Sequence, residues 1–388
     1  MIKLITFTFY RERETKEALI RFIRSAKQLS FGKQCVAFEK NLAAYQGRKE
    51  CVFFNSGSSA NLALLQALLN LGRLPKNAKI GFSAVTWSTN VMPIIQLGLR
   101  PVPVDIEPET ANVSSVQFEA ALKKTPMDAF FLTNVLGLCS DIDRIARLCK
   151  ENGIMLLEDN CESLGTVYKG KKLGNFGYAS TFSSFVGHHL STIEGGAVCT
   201  DDTELATMLR LVRAHGWDRN MPANQQKRLR AAHRVEPFYG LFTFYDLAYN
   251  LRSTEIQGFL GNYQLKLAHE NFKKRNENFL KLAEAFYRPG TPFFPMKYEH
   301  IEFLSSFAFP LIARNRAVLD RAIRAARGKI EIRPILAGNM VRQPFYKKYV
   351  SKKGTCPNAD IIHHQGFYFA NNPDLTKKDL AFIVKTLL

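Results

Sequence analysis

An α/β fold with a mostly parallel central sheet, followed by a smaller C-terminal α/β domain, is predicted by three observations. Short apolar runs alternate with helical segments of about 10 to 15 residues, the pattern of strands joined by crossover helices. The runs are apolar nearly throughout, as expected for strands covered on both faces. After Ser253 the alternation gives way to one long helical region and then two further strand-like runs, which marks a separate unit.

Residues 1–30 are expected to form an N-terminal helical segment, 31–250 a large domain and 251–388 a small one. Leu19, Ile20, Phe22, Ile23 and Leu29 fall at roughly helical spacing, and residues 36–45 repeat that pattern before Gly47. CVFFNSGSSANLALLQALLNLG reads as a strand from Cys51 to Phe54, a small-residue turn and a helix beginning near Ser59. The alternation continues through IGFSAV, WSTNVMPIIQLG, PVPVDI, VSSVQFEAALKK, AFFLTNV, SDIDRIARLCKENG and IMLLEDN. Ligands of such sheets sit at the carboxyl ends of the strands. EGGAVCTDD is another strand end, and the helix TELATMLRLVRAH then runs into GWDRNMPANQQKRLRAAHRVE. That stretch is polar, basic and poorly periodic, and is expected as a long loop. In the last third, FLSSFAFPLIA and KIEIRPIL read as strands.

The 388 residues carry 53 Lys plus Arg against 34 Asp plus Glu, a formal charge of +19, and 46% are apolar. That apolar share is ample for real cores and excludes general disorder. The charge admits nucleic acid, an anionic membrane surface or anionic small molecules as partners. Basic residues are spread along the chain without a long run, which weakens the first two, and a solvated basic surface is the simplest reading. The seven cysteines are scattered and form neither C-x-x-C nor C-x-C. A disulfide scaffold, a thiolate metal site and an iron-sulfur cluster are therefore not expected. MIKLITFTFY runs directly into RERETKE, and no apolar stretch is long enough to span a bilayer, so a soluble cytoplasmic protein without membrane insertion is expected.

Three segments carry chemistry-bearing side chains. Asn55-Ser56-Gly57-Ser58-Ser59-Ala60-Asn61 joins a strand to a helix, where free N–H groups, hydroxyls and the helix dipole favour a phosphate. Taken alone, a capped helix start is the simpler explanation. Leu156 to Glu162 ends an apolar strand in acids, where Asp159 could neutralise a buried cation and Glu162 could bond a ligand oxygen; a structural cap would look the same. In the Ser183 to Gly196 segment, His188 and His189 are adjacent, and on a strand at most one would enter a site. No third metal ligand is suggested.

In this order and spacing the segments resemble the DegT/StrS-type sugar aminotransferases, pyridoxal-phosphate enzymes of the aspartate aminotransferase fold, fold type I. The likeness runs over nearly the whole chain. It includes the loop at Asn55–Asn61, Trp87 in VTWSTN, VDIEPETANV, LLEDNCESLG, GNFG, the Ser183–Gly196 segment, RAHGW, and Tyr249-Asn250-Leu251-Arg252 followed by GFLGNYQL. One departure stands out. Where those enzymes carry the lysine that bonds the cofactor, this chain has His188, and no lysine occurs between Lys172 and Lys227. Imidazole cannot hold the cofactor covalently but is a competent general base near neutral pH. The change resembles the histidine-bearing 3-dehydratases of the family, among which the iron-sulfur members have closely spaced cysteines absent here.

The resemblance implies pyridoxal or pyridoxamine 5′-phosphate as cofactor, with no iron-sulfur cluster and no metal. Asp159 would pair with the ring nitrogen, Glu162 would contact the ring hydroxyl region, and Trp87 would stack on the ring. Gly57, Ser58 and Ser183 would hold the phosphate, with Asn250 reaching it from the second subunit of a homodimer that shares its active sites. His188 would be the general base in 3-dehydration of a nucleotide-linked 4-keto-6-deoxyhexose, with GDP-4-keto-6-deoxy-D-mannose favoured and L-glutamate restoring the amine form. The product would serve dideoxysugar assembly, such as colitose of an O-antigen. Arg333 and His215 are candidates for substrate contact, and His189 is structural or substrate-adjacent. A nucleotide-sugar aminotransferase, the same dehydration on a CDP- or dTDP-linked sugar, and an inactive binding homologue stay open as alternatives.

Overall fold

The computed structural model describes residues 1–351 and 354–388. Its strands up to residue 200 are β1 (Glu50–Phe54), β2 (Lys79–Ser83), β3 (Arg100–Val104), β4 (Ala129–Thr133), β5 (Met155–Asp159), β6 (Val167–Tyr168), β7 (Lys171–Lys172), β8 (Ala179–Ser183) and β9 (Gly196–Thr200). β6 and β7 form a hairpin of their own, and the rest make a seven-stranded sheet in the order β1-β9-β8-β5-β4-β2-β3. Only β9 runs against the others, pairing antiparallel with both β1 and β8. The parallel direction brings the ends of β1, β4, β5 and β8 to one edge, with Thr133 beside Asp159 and Asp159 beside Thr181.

Helices cover both faces, which is why Ile80, Phe82, Phe130, Phe131 and Leu157 are fully buried. The first half contains α1 (Glu12–Ser25), α2 (Lys33–Gln46), α3 (Gly57–Asn70), α4 (Ser88–Gln96), α5 (Ser115–Lys124), α6 (Ile142–Glu151) and α7 (Thr203–Arg213). Side-chain caps start several of them: Ser56 Oγ accepts from Ser59 N at 3.0 Å, Ser114 Oγ from Gln117 N at 3.2 Å and Asp202 from Leu205 N at 2.8 Å. Along β1 and β9 the side chains alternate between two cores. Val52, Phe54 and Val198 join the main one, while Cys51, Phe53, Ala197 and Cys199 meet Phe38 and Leu42 of α2 in the second.

The expected loop after RAHGW is corrected by the structure: it contains α8 (Ala223–Ala232), none of whose residues is buried. Its Ala, Gln, Lys, Arg and Leu have high helix propensity, but without an apolar stripe they leave no periodicity to read. The helical region after Ser253 is two helices, α9 (Glu255–Lys266) and α10 (Ala268–Phe286), abutting at Leu267. The expected division at residue 250 falls just ahead of α9, and α9 lies against α2. There the two oxygens of Glu255 accept the N–H groups of Gln34 and Cys35 at 3.0 Å.

The C-terminal sheet is antiparallel, in the order β10-β11-β13-β12. Its strands are β10 (Phe293–Phe294), β11 (Ala308–Ala313), β12 (Ile332–Pro334) and β13 (Gly366–Ala370). α11 (Arg316–Ala326), α12 (Pro344–Tyr349), α13 (Pro357–Gln365) and α14 (Lys377–Leu387) complete the chain. No helix among the described residues is long and apolar enough to cross a membrane.

Gly196 starts β9 where that strand meets the loop after β1. A Cβ there would lie 2.2 Å from Ser56 O and 2.3 Å from Gly57 N, both backbone atoms. In the β6–β7 turn, Gly170 has φ +72° but open space around it. Gly170→Ala should therefore cost about 1–2 kcal/mol, the left-handed penalty alone. Gly196→Ala must also displace the loop, so thermal denaturation should show a clearly larger loss of stability than for Gly170→Ala.

Candidate active site

A cavity of about 310 Å³ opens at the carboxyl edge of the large sheet. Gly57, Ser58, Trp87, Asp159, Glu162, Ser183, His188 and Arg333 all line it. His215 and Asn250 do not: their segments pair through an Ala214–Asn250 bridge, the His215 ring lies 4.6 Å from that of Trp217, and Asn250 is exposed.

Asp159 ends β5 and is 4% exposed. Its Oδ2 accepts from Asn61 Nδ2 at 3.0 Å and Asn90 Nδ2 at 2.7 Å, and its Oδ1 accepts from Cys161 N at 2.8 Å. Three donors from α3, α4 and the following turn thus fix both oxygens. The start of α3 approaches β8 so closely that a Cβ on Gly57 would lie 2.8 Å from Ser183 Cβ. Glycine there leaves backbone N–H groups uncovered at a helix N-terminus, a setting suited to a phosphate. Ser58 Oγ donates to Thr89 Oγ1 at 3.2 Å, and Ser183 Oγ accepts from Phe185 N at 3.2 Å. Trp87 precedes α4 and is 53% exposed, so it is a cavity wall and not a core residue.

Glu162 lies beyond Asp159 and accepts from Leu136 N at 3.0 Å. Burial pushes its carboxyl up to about 8; the Leu136 N–H opposes this and the Asp159 charge adds to it. His188 and His189 belong to the turn between β8 and β9 and not to a strand. The His188 ring packs 5.2 Å from Phe307 and 5.9 Å from Phe185, and its Nδ1 is buried without a partner. Burial, reinforced by the positive charge of Arg275, pushes the imidazole down to about 4. It is neutral at pH 7 and able to accept a proton. His189, 2% exposed, points away from the cavity, with its Nε2 3.0 Å from Ser305 O and its ring edge-on to Phe272.

Arg333 donates to Glu331 Oε1 from Nε at 3.1 Å and from Nη2 at 2.7 Å, and it stands opposite Tyr368 in the β12–β13 register. Tyr368, Asn61, Asn90, Thr133, Phe307, Leu4 and Ile5 line the same cavity and were not singled out from the sequence. Asn61 and Asn90 lay inside the loop and the VTWSTN segment already recognised. Tyr368 sits in GFYFA, a five-residue apolar strand with no flanking signal. Leu4 and Ile5 reach the cavity because Ile2 pairs with Ile330 and Leu4 N donates to Glu331 Oε2 at 3.0 Å. Among the described residues no lysine lines the cavity. Lys172 instead donates its Nζ to the Tyr45 carbonyl. No group of three or more His, Cys, Asp or Glu able to hold a metal is found among the described residues.

A carboxyl whose folded-state value is raised keeps its full stability contribution only below its unfolded value. As pH rises from about 4.5 to about 8, the unfolded chain releases the Glu162 proton and the folded chain retains it, which favours unfolding. Glu162→Gln removes this effect. In protein without added cofactor, its melting temperature should match wild type near pH 4.5 and exceed it by several degrees at pH 8, with the difference levelling above that. A pH-independent difference would contradict the assignment.

The chain is similar along its length to proteins of known name. The GDP-4-keto-6-deoxy-D-mannose 3-dehydratase of Yersinia pseudotuberculosis is 33% identical over 376 residues, covering 94% of each chain. The protein of the same name from Escherichia coli O55:H7 is 32% identical, covering 91% of each. A crystal structure of GDP-4-keto-6-deoxymannose-3-dehydratase with a trapped PLP-glutamate geminal diamine superposes over 100% of both chains, with a TM-score of 0.89 and 29% identity. With the sequence model of the family matching residues 10–388, the chain belongs to the DegT/DnrJ/EryC1/StrS aminotransferase family.

Proposed function

We propose that the protein is a pyridoxamine-phosphate-dependent 3-dehydratase of a nucleotide-linked 4-keto-6-deoxyhexose, with GDP-4-keto-6-deoxy-D-mannose as substrate and L-glutamate restoring the amine form of the cofactor. The observation that carries the reading is a half-buried histidine, and among the described residues no lysine, facing the cavity that Asp159 and the start of α3 define. The full-length similarity to dehydratases that act on the GDP-linked sugar supports the choice of substrate.

The residues fit pyridoxamine phosphate. Asp159 is a fixed carboxylate at the strand end, suited to a protonated ring nitrogen, and the Gly57 cradle with Ser58 and Ser183 suits a phosphate. Trp87 offers a ring face, and Glu162, uncharged at neutral pH, offers a hydrogen bond to a ring oxygen. When bound, the cofactor supplies an amine that condenses with the C4 ketone and a ring that withdraws electrons. His188 takes the proton from the cofactor's C4′ carbon. The resulting imidazolium can return that proton to the departing C3 hydroxyl, which leaves as water. A neutral imidazole is free to accept that proton, and the imidazolium, a strong acid here, gives it up readily. Arg333 is the candidate for a contact with the substrate's negative charge. The overall change is loss of one sugar oxygen, coupled to conversion of glutamate to 2-oxoglutarate and ammonia.

We further propose a homodimer that completes the site. Phe238, Phe242, Phe244 and Leu247 expose between 60% and 84% of their surface in one continuous segment that ends near Asn250. Apolar surface gathered in this way marks an interface. In the dimer Asn250 would reach the phosphate of the other subunit's cofactor.

Incubated with GDP-4-keto-6-deoxy-D-mannose, pyridoxal phosphate and glutamate, the protein should yield a sugar lacking one oxygen, read by mass. An amino sugar as the main product would establish an aminotransferase instead. His188→Lys should acquire a covalent bond to pyridoxal phosphate that borohydride makes permanent, and should lose deoxygenation. Phe238→Asp combined with Leu247→Asp should shift sedimentation from dimer to monomer and weaken cofactor retention at least tenfold.

A further inference from the structure

Behind His188, on the side away from the cavity, Arg275 of α10 is buried with no carboxylate against it. It is 4% exposed, and its donors go to neutral acceptors. Nε donates to Asn271 Oδ1 at 2.9 Å, Nη1 to Asn371 O at 2.8 Å and Phe307 O at 3.4 Å, and Nη2 approaches His188 O at 3.5 Å. Asn271 Nδ2 in turn donates to His189 O at 2.9 Å, and Asn371 Nδ2 to Ser306 O and Arg275 O at 2.9 and 3.0 Å. One guanidinium therefore gathers the histidine turn, the segment carrying Phe307 and the end of β13. A buried cation without a counter-ion is costly, and the same joints could be made by a neutral amide. The placement calls for a use of the charge.

We propose that Arg275 is a positioning residue for His188, clamping the backbone of the histidine turn against the Phe307 segment and setting an unpaired positive charge beside the imidazole. The other charged and titratable groups around His188 do not supply this charge. His189 is its neighbour in the turn and is itself pushed down by burial and by Arg275. Asp159, Cys161, Glu162, Glu194, Arg333 and Tyr368 share the cavity, the acids would favour an imidazolium, and Arg333 is paired with Glu331. Asp374, farther off, acts on Arg275 by favouring its charge, against burial, which lowers the guanidinium to about 10. Arg275 does not line the cavity and acts only through His188.

The role rests on the assignment of His188 as base, and its test separates the two. Histidine-labelled protein without cofactor is titrated by NMR, with the His188 signal assigned by its disappearance in His188→Asn. The wild-type imidazole should titrate more than one pH unit below a free histidine. Arg275→Met should raise that midpoint by about one unit, and Arg275→Lys should keep it near wild type. In the assay above, Arg275→Met should move the acid limb of kcat/KM upward in parallel, with KM for the nucleotide sugar changed less than twofold. An ordinary His188 midpoint in wild type, or no shift in folded Arg275→Met, overturns the proposal. Should Arg275→Met fail to fold, Arg275→Gln, which keeps amide donors without the charge, takes its place in the same titration, with the same rise expected and its absence overturning the proposal. A depressed midpoint that rises when the charge at 275 is removed, in a protein that removes no sugar oxygen, would uphold Arg275 and sink the dehydratase reading.

Discussion

The carboxylate of Asp159 is the point on which the site's geometry turns. It is buried at the end of a parallel strand, where an unpaired charge would cost several kcal/mol, and hydrogen bonds to a charged group recover about 1.5–3 kcal/mol each. The donors are Asn61 on α3, Asn90 on α4 and the Cys161 backbone. Satisfying one side chain therefore fixes how two helices start relative to β5. The start of α3 is the helix end proposed to receive a phosphate, and Trp87 is the residue that opens α4. The positions of both follow from the same three bonds.

Burial then acts in opposite directions on the two other ionisable groups nearest the chemistry. It raises the Glu162 carboxyl and lowers the His188 imidazole, so that both are uncharged at pH 7. The cavity thus offers a neutral donor and a neutral base beside one fixed carboxylate. Arg333 carries a positive charge at the wall, already matched by Glu331. A dianionic phosphate and a nucleotide diphosphate add negative charge to this balance, and the helix start at Gly57 is where it is best received. The +19 net charge of the chain contributes little here, since few of its basic residues line the cavity.

Most of the fold was legible because a parallel sheet writes itself as repeated apolar runs separated by amphipathic helices. β1 to β5 all lie where those runs are. β13 and the hairpin β6–β7 were missed because short apolar or charged pairs carry no period, and α8 because a fully solvated helix has no apolar face. In the site, side chains inside ordered motifs, such as Asp159, Ser183 and His188, could be named in advance. Tyr368, Phe307 and Arg275 could not, because they reach the site from the last third of the chain through β13, the start of β11 and α10. The turn that carries His188 and His189, held by Thr192 N on Ser184 O and Val186 N on Ile193 O, likewise leaves no trace in residue type.

A histidine at position 188 changes what the remainder of the site has to do. A lysine that bonds the cofactor keeps it in place whatever the quality of the other contacts. An imidazole provides no such tether, so a cofactor in this cavity would depend on the helix start at Gly57, on Asp159 and on the exposed face of Trp87. Those contacts are built on backbone and on buried hydrogen bonds, which lose little entropy on binding because they are already ordered. A residue 188 without such a bond would be free to act as an acid and a base. Phe185 and Phe307 pack against the ring, and among the described residues no acid bonds its Nδ1 to favour the imidazolium.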